Sequence, residues 1–152
     1  MQKRIIFVFI ATLALFGFGG LTQAKTERVT AQDSPHSMTI DLSGGAEVPG
    51  PGDTDGSGTA NLKLDHAKGE LCYDISVKGI EPPTAAHIHA GAAGKSGAVK
   101  VAFKKAADGA WKGCVSADKT LLDDLMKKPG EFYVNVHTAD FPNGAIRGQL
   151  GK

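Results

Sequence analysis

The stretch GTANLKLDHAKGELCYDISV, residues 58–77, alternates apolar and polar side chains on both sides of a short polar segment. Successive side chains of a strand point to opposite faces, so the apolar residues of each half share one face. These are Ala60, Leu62 and Leu64 in the first half, and Leu71, Tyr73, Ile75 and Val77 in the second. The polar segment Asp65–Gly69 supplies a turn between them. The stretch therefore predicts an antiparallel β-hairpin.

The same alternation recurs along the chain, in six further predicted strands: Met38–Leu42, Thr84–His89, Val99–Phe103, Trp111–Val115, Phe132–His137 and Ala145–Leu150. Only Asp118–Lys128 has helical spacing, and Pro129-Gly130 ends it. A parallel α/β fold would need a helix between most of its strands. The pattern instead predicts an all-β fold, a Greek-key β-sandwich or barrel of about eight strands with one short helix.

The N-terminal residues have the layout of a secretory signal peptide. Two positive charges precede the uncharged apolar run Ile5–Phe18, and small residues follow it. An uncleaved membrane anchor is the alternative, but the run is short for a span of about 20 residues. We expect residues 1–24 to be removed by cleavage after Ala24, which places the protein outside the cytoplasm, secreted or periplasmic. Residues 25–37 are then a flexible leader, and residues 38–152 the folded domain.

The charge balance excludes two classes of partner. Of the 17 basic and 16 acidic residues of the chain, the predicted signal peptide contains only Lys3 and Arg4, so the remaining chain has a formal net charge of −1. No basic cluster is left to bind nucleic acid or an anionic membrane surface. We expect neither nucleic acid nor, after cleavage, a membrane as a partner.

Cys72 and Cys114 are the only cysteines of the chain. In an oxidising compartment two thiols within one small domain usually pair. Neither belongs to a Cys-x-x-Cys motif, which argues against a redox role. We predict a structural disulfide that closes a loop of about forty residues.

Three histidines are candidate metal ligands. His87 and His89 flank Ile88 in a predicted strand, so their imidazoles project side by side from one face. In EFYVNVHT the same alternation places Tyr133, Asn135 and His137 opposite the apolar residues of that strand. Three neutral imidazoles in one patch suit copper or zinc. The alternative is that these histidines are buried polar residues that only bond to backbone carbonyls and polar neighbours.

The segments LSGGAEVPGP, AAHIHAGAAGKSGAV and EFYVNVHTADFPNGAIRGQL resemble the CHRD domain, which is named for chordin and occurs singly in many secreted microbial proteins. The resemblance runs in order from about Thr39 to Leu150. It implies an all-β fold of the immunoglobulin or superoxide-dismutase type, but assigns no activity to most microbial members. One departure is Ala145, which stands where the family often has a glutamate.

The likeness to copper/zinc superoxide dismutases implies a copper role for His87, His89 and His137, with Arg147 near the metal. Zinc ligands have no counterpart, because residues 90–98 contain neither histidine nor aspartate. Arg147 has an alternative role, pairing with Asp140 or another carboxylate.

Three functional hypotheses remain. The preferred one is a secreted binding module with a three-histidine copper site. The others are a copper-only dismutase-like enzyme and a structural or adhesive domain without metal. Its partner is accordingly a metal ion or an extracellular protein or glycan, and whether the protein is an enzyme stays undecided at this stage.

Overall fold

The computed structural model describes residues 34–151, in which eight strands and one α-helix form the domain. The predicted signal peptide and all of the leader before Ser34 lie outside the described residues. The strands are β1 His36–Ser43, β2 Ser57–Asp65, β3 Glu70–Lys78, β4 Ala85–Ala90, β5 Val99–Ala102, β6 Trp111–Ser116, β7 Phe132–His137 and β8 Ile146–Gln149, and the helix α1 is Lys119–Lys127. The predicted all-β class is confirmed. No helix in this part of the chain is long and apolar enough to cross a membrane.

The eight strands form one antiparallel sheet in the order β5-β4-β7-β8-β1-β2-β3-β6, curled into a half-barrel. The strands therefore do not divide into two facing sheets. The chain crosses between the two halves of the sheet after β3, after β5 and again after β6, and the edge strands β5 and β6 do not pair. The right-handed twist of neighbouring strands accumulates across a sheet of this width, so one face curls around the apolar core.

The predicted hairpin is β2 and β3, whose residues pair from Ser57 with Lys78 to Asp65 with Glu70. Its apolar face lies in the core, where Leu64 and Leu71 are fully buried. β1 starts at His36, two residues before its predicted start. His36 and Ser37, which we assigned to the leader, are therefore part of the sheet, although both are exposed.

The helix α1 closes part of the core. The Asp118 side chain accepts a hydrogen bond from the backbone N–H of Thr120 at 2.7 Å, which caps the start of the helix. Leu122 and Leu125 are fully buried in the apolar cluster. Lys128 caps the other end, before Pro129 begins a short 3-10 turn.

The predicted disulfide between Cys72 and Cys114 is present. The two residues lie directly opposite each other in β3 and β6, so the bond fastens the edge strand β6 to its neighbour.

Strands β7 and β8 are mostly buried on both faces, and β4 is buried on its inner face and partly buried on its outer face. Their inner face carries Ile88, Val134, Val136 and Ile146, all of them in the core. Their outer face carries the polar residues His89, Asn135, Arg147 and Gln149, which are also buried. Three loops cover this outer face: residues 44–56 after β1, residues 91–98 after β4 and residues 138–145 after β7. The candidate site lies under these loops.

Candidate metal centre

The structure brings His87, His89 and His137 together on the outer face of β4 and β7. His137 is paired with Ala85, two residues before His87, so its ring reaches the adjacent histidine diagonally. The ring centroid of His87 is 5.5 Å from that of His89 and 5.0 Å from that of His137. One ring nitrogen from each histidine lies within 4.8 Å of the other two, a spacing that one metal ion can bridge.

Backbone carbonyls orient two of the three rings. Nδ1 of His89 is 2.8 Å from the carbonyl oxygen of Gly97, and Nδ1 of His137 is 3.0 Å from that of Pro142. A neutral imidazole that donates from Nδ1 keeps its lone pair on Nε2. The Nε2 atoms of both residues are therefore the ligand atoms that face the cluster. A hydrogen bond from the second ring nitrogen to a carbonyl is the usual support for a metal-binding histidine.

Inside the cluster the ring nitrogens have few partners of their own. Nε2 of His89 is buried and has no hydrogen-bond partner among the described residues. Nε2 of His137 lies 3.1 Å from Nδ1 of His87, which donates to it in the tautomer described above, and 3.1 Å from Oδ1 of Asn135, an acceptor that gives Nε2 no hydrogen bond in that tautomer. Buried polar atoms in folded proteins are nearly always paired. The unpaired nitrogen of His89 is therefore difficult to explain if the histidines only satisfy hydrogen bonds.

Two of the histidines, His87 and His137, are held in the neutral form that binds metals. Burial, together with the neighbouring rings of His137 and His89, lowers the pKa of His87 from 6.5 to about 4. Burial also lowers the pKa of His137. Metal binding near neutral pH would therefore displace no proton from these two residues. No carboxylate or thiolate is part of this three-residue group, and the two cysteines form a disulfide.

The family model for the CHRD domain matches residues 38–150, most of the chain. The chain belongs to the CHRD family. Neither the curated proteins nor the solved structures gave a significant match. All three histidines, both cysteines and Arg147 lie within the matched residues, so the cluster belongs to the CHRD domain itself.

The guanidinium of Arg147 contacts an aromatic ring, a backbone carbonyl and the Gln149 amide. In this CHRD domain it forms no ion pair with Asp140 or with any other carboxylate of the described residues. Its guanidinium carbon lies 3.3 Å from the centroid of the Tyr133 ring, and that ring stacks on His89 with centroids 4.9 Å apart. Tyr133 therefore lies between the guanidinium and His89, whereas Asn135 lies opposite Arg147 on β7. Arg147 is only 2% exposed, so it offers no surface charge beside the cluster.

Some residues on this face could be predicted from the sequence, and Glu47 could not. The alternation in EFYVNVHT had already placed Tyr133 and Asn135 on the histidine face. Glu47 was missed: it lies in a loop crowded with glycine and proline, yet it is 5% exposed. No local pattern signals that burial, because it depends on where the loop folds. His66 lies 3.5 Å from Asp123 and outside the three-histidine cluster.

Proposed function

We propose that this CHRD-domain protein is exported, to the periplasm or the medium, and binds one copper ion through His87, His89 and His137. The observation that carries the proposal is the arrangement of ring nitrogens. Backbone carbonyls hold the Nδ1 atoms of His89 and His137, which leaves both Nε2 atoms directed at the cluster, one of them without any partner.

The donor set selects the metal. Three imidazole nitrogens without oxygen or sulfur ligands suit zinc and copper, whereas calcium and magnesium require oxygen ligands. A structural zinc site normally has four protein ligands. Between the two metals, a given set of nitrogen ligands binds Cu²⁺ more tightly. Copper is therefore the ion that these three residues would retain.

A copper-dependent redox activity, such as superoxide dismutation, is the second candidate. His87 and His137 are partly exposed, so a bound ion would be accessible from solvent. The burial of Arg147 behind Tyr133 argues against anion guidance by that residue. The binding module remains the preferred function for this reason.

The test is a titration of the exported protein, disulfide intact, with Cu(II), followed by the EPR spectrum of the complex. We expect one equivalent with nitrogen coupling in the spectrum. The variants His87→Ala, His89→Ala and His137→Ala are each expected to lower the affinity by more than about tenfold, since each removes one ligand. His66→Ala is the matched control, because that histidine lies outside the cluster.

Equal affinity in the wild type and the three cluster variants would refute the copper site. A higher affinity for Zn(II) than for Cu(II) would keep the site but change its metal. A superoxide assay on the copper-loaded protein then distinguishes a binding module from an enzyme.

A further inference from the structure

A second candidate site lies on the same outer face, behind Tyr133 as seen from His89. It is a cavity of about 280 Å³ between the loop after β1 and the loop after β4. Small or backbone surfaces form much of its wall, and two charged side chains complete it; the lining includes Gly45, Ala46, Ala93, Gly94, Glu47 and Arg147. The cavity shares no residue with the three-histidine cluster.

The two charged residues carry opposite charges, and both are buried. Glu47 is 5% exposed and Arg147 is 2% exposed. Oε1 of Glu47 and Nη1 of Arg147 each lack a hydrogen-bond partner among the described residues, and the two side chains form no direct ion pair. A buried charge without a partner is strongly unfavourable. Glu47 and Arg147 attract each other across the cavity without a hydrogen bond, so the free atoms Oε1 and Nη1 point to a ligand that bonds to both.

Both groups are held in position by their surroundings. A side chain on Gly144 would overlap the Glu47 carboxylate, and one on Gly52 would press on its Cγ, so the acid is packed between two backbone segments. The guanidinium of Arg147 stacks on Tyr133, and its Nη2 donates to the carbonyl of Ala92 at 3.1 Å. The free atoms are thus preorganised, which reduces the ordering cost of binding.

We propose that this cavity binds a small zwitterion of the α-amino acid class, with the ligand carboxylate on Arg147 and its ammonium group on Glu47. A guanidinium matches a carboxylate with directional, charge-assisted bonds, and the buried carboxylate of Glu47 accepts from an ammonium group. The volume of about 280 Å³ accommodates a ligand of this class, and the walls of glycine and alanine leave the cavity open for its backbone. The proposal is independent of copper binding.

The test is an NMR titration of the metal-free exported protein with glycine and L-alanine at pH 8. Burial raises the pKa of Glu47 to about 7, so this carboxyl is ionised at pH 8 while the ligand ammonium remains protonated. We expect saturable shifts at the amides of Gly45, Ala46, Ala93 and Gly94. Acetate and methylammonium, which each carry one of the two charges, are expected to bind at least about tenfold more weakly, because each leaves one buried charge unpaired.

Glu47→Gln keeps the shape of the side chain and removes its charge, and we expect it to weaken glycine binding at least about tenfold. Glu81→Gln, at an exposed acid, is the matched control and is expected to change nothing. Ala93→Phe places a large ring at the cavity wall and is expected to block binding while the charged pair stays intact.

Three results would overturn the proposal: no saturable shift with either amino acid, equal binding of glycine and acetate, or unchanged binding in Glu47→Gln. Repeating the titration on His87→Ala separates the two sites. Amino acid binding that persists in this variant, where copper binding is expected to fail, shows that the cavity acts on its own.

Discussion

Replacing Gln149 by methionine should destabilise the domain more than any loss of a surface hydrogen bond. Its side chain lies under the loops of the outer face and is 8% exposed. Nε2 contacts the carbonyl oxygens of Gly91, Gly130 and Phe132 at 2.8, 2.9 and 2.8 Å. Oε1 accepts a hydrogen bond from Nη2 of Arg147 at 3.2 Å. One side chain thus joins β8 to the loop after β4, to the turn after α1 and to the buried guanidinium.

The magnitude follows from these bonds. The two N–H groups of the amide contribute about 1 kcal/mol each, and a bond from a charged donor contributes about 1.5–3 kcal/mol. Methionine fills a similar volume, so the cost of a cavity is small. We therefore expect Gln149→Met to lower the free energy of unfolding by about 4 kcal/mol. This is a large part of the total stability of a typical domain, which is about 5–15 kcal/mol.

The assay is urea unfolding followed by circular dichroism, with the disulfide intact in all samples. Thr39→Val is the control, because it removes an exposed hydrogen bond of 2.9 Å to Asn61 and keeps the branched side chain. Its effect should stay within about 0.5 kcal/mol. A loss below about 1 kcal/mol in Gln149→Met would refute the reasoning, since it would mean that solvent or rearranged loops satisfy the three carbonyls equally well.

Three further outcomes are expected. Reducing the bond between Cys72 and Cys114, separated by 42 residues, should destabilise the domain by about 4 kcal/mol in urea unfolding, whereas the double variant with alanine at both positions should not respond to reductant. In metal-free protein the stability contributed by neutral His87 is present above pH 6.5 and is lost as the pH falls towards 4. The melting temperature of His87→Gln should therefore depend less on pH in this range than that of the wild type. The stability contributed by protonated Glu47 changes with pH in the opposite direction: it is present below pH 4.5 and is lost as the pH rises to 7. The stability of Glu47→Gln relative to the wild type should therefore increase as the pH rises from 4.5 to 7. A melting curve with the same pH dependence in variant and wild type would contradict either of these two assignments.

The strands were predictable because their residues satisfy a local rule. In β2 and β3 each second residue is apolar, and the register of the sheet places those residues in the core. The helix was predicted within one residue at each end, because Asp118 and Pro129 mark its limits locally. The start of β1 was missed because His36 and Ser37 are polar on both faces. They join the sheet only through pairing with Lys63 and Leu64 of β2.

The candidate site was predictable only in part. The His-x-His pair and the strand alternation placed three histidines on outward faces, and the structure brings them together. The positions of Arg147 and Glu47 could not be predicted, because both depend on loops that fold over β7 and β8 from distant parts of the chain. The alternation places Arg147 on the face opposite Ile146 but does not show its burial, and it is among the most buried side chains.

By itself the sequence determined the all-β class, the hairpin, the helix and the CHRD resemblance, because periodicity and turn residues act over a few positions. The tertiary structure decided which strands are neighbours, and through them the meeting of His137 with the β4 histidines and the placement of Tyr133 between Arg147 and His89. It also decided which polar atoms lack partners, since burial depends on every segment packed around an atom. Both proposed sites follow from these unpaired atoms, His89 Nε2 in one case and the Glu47 and Arg147 groups in the other.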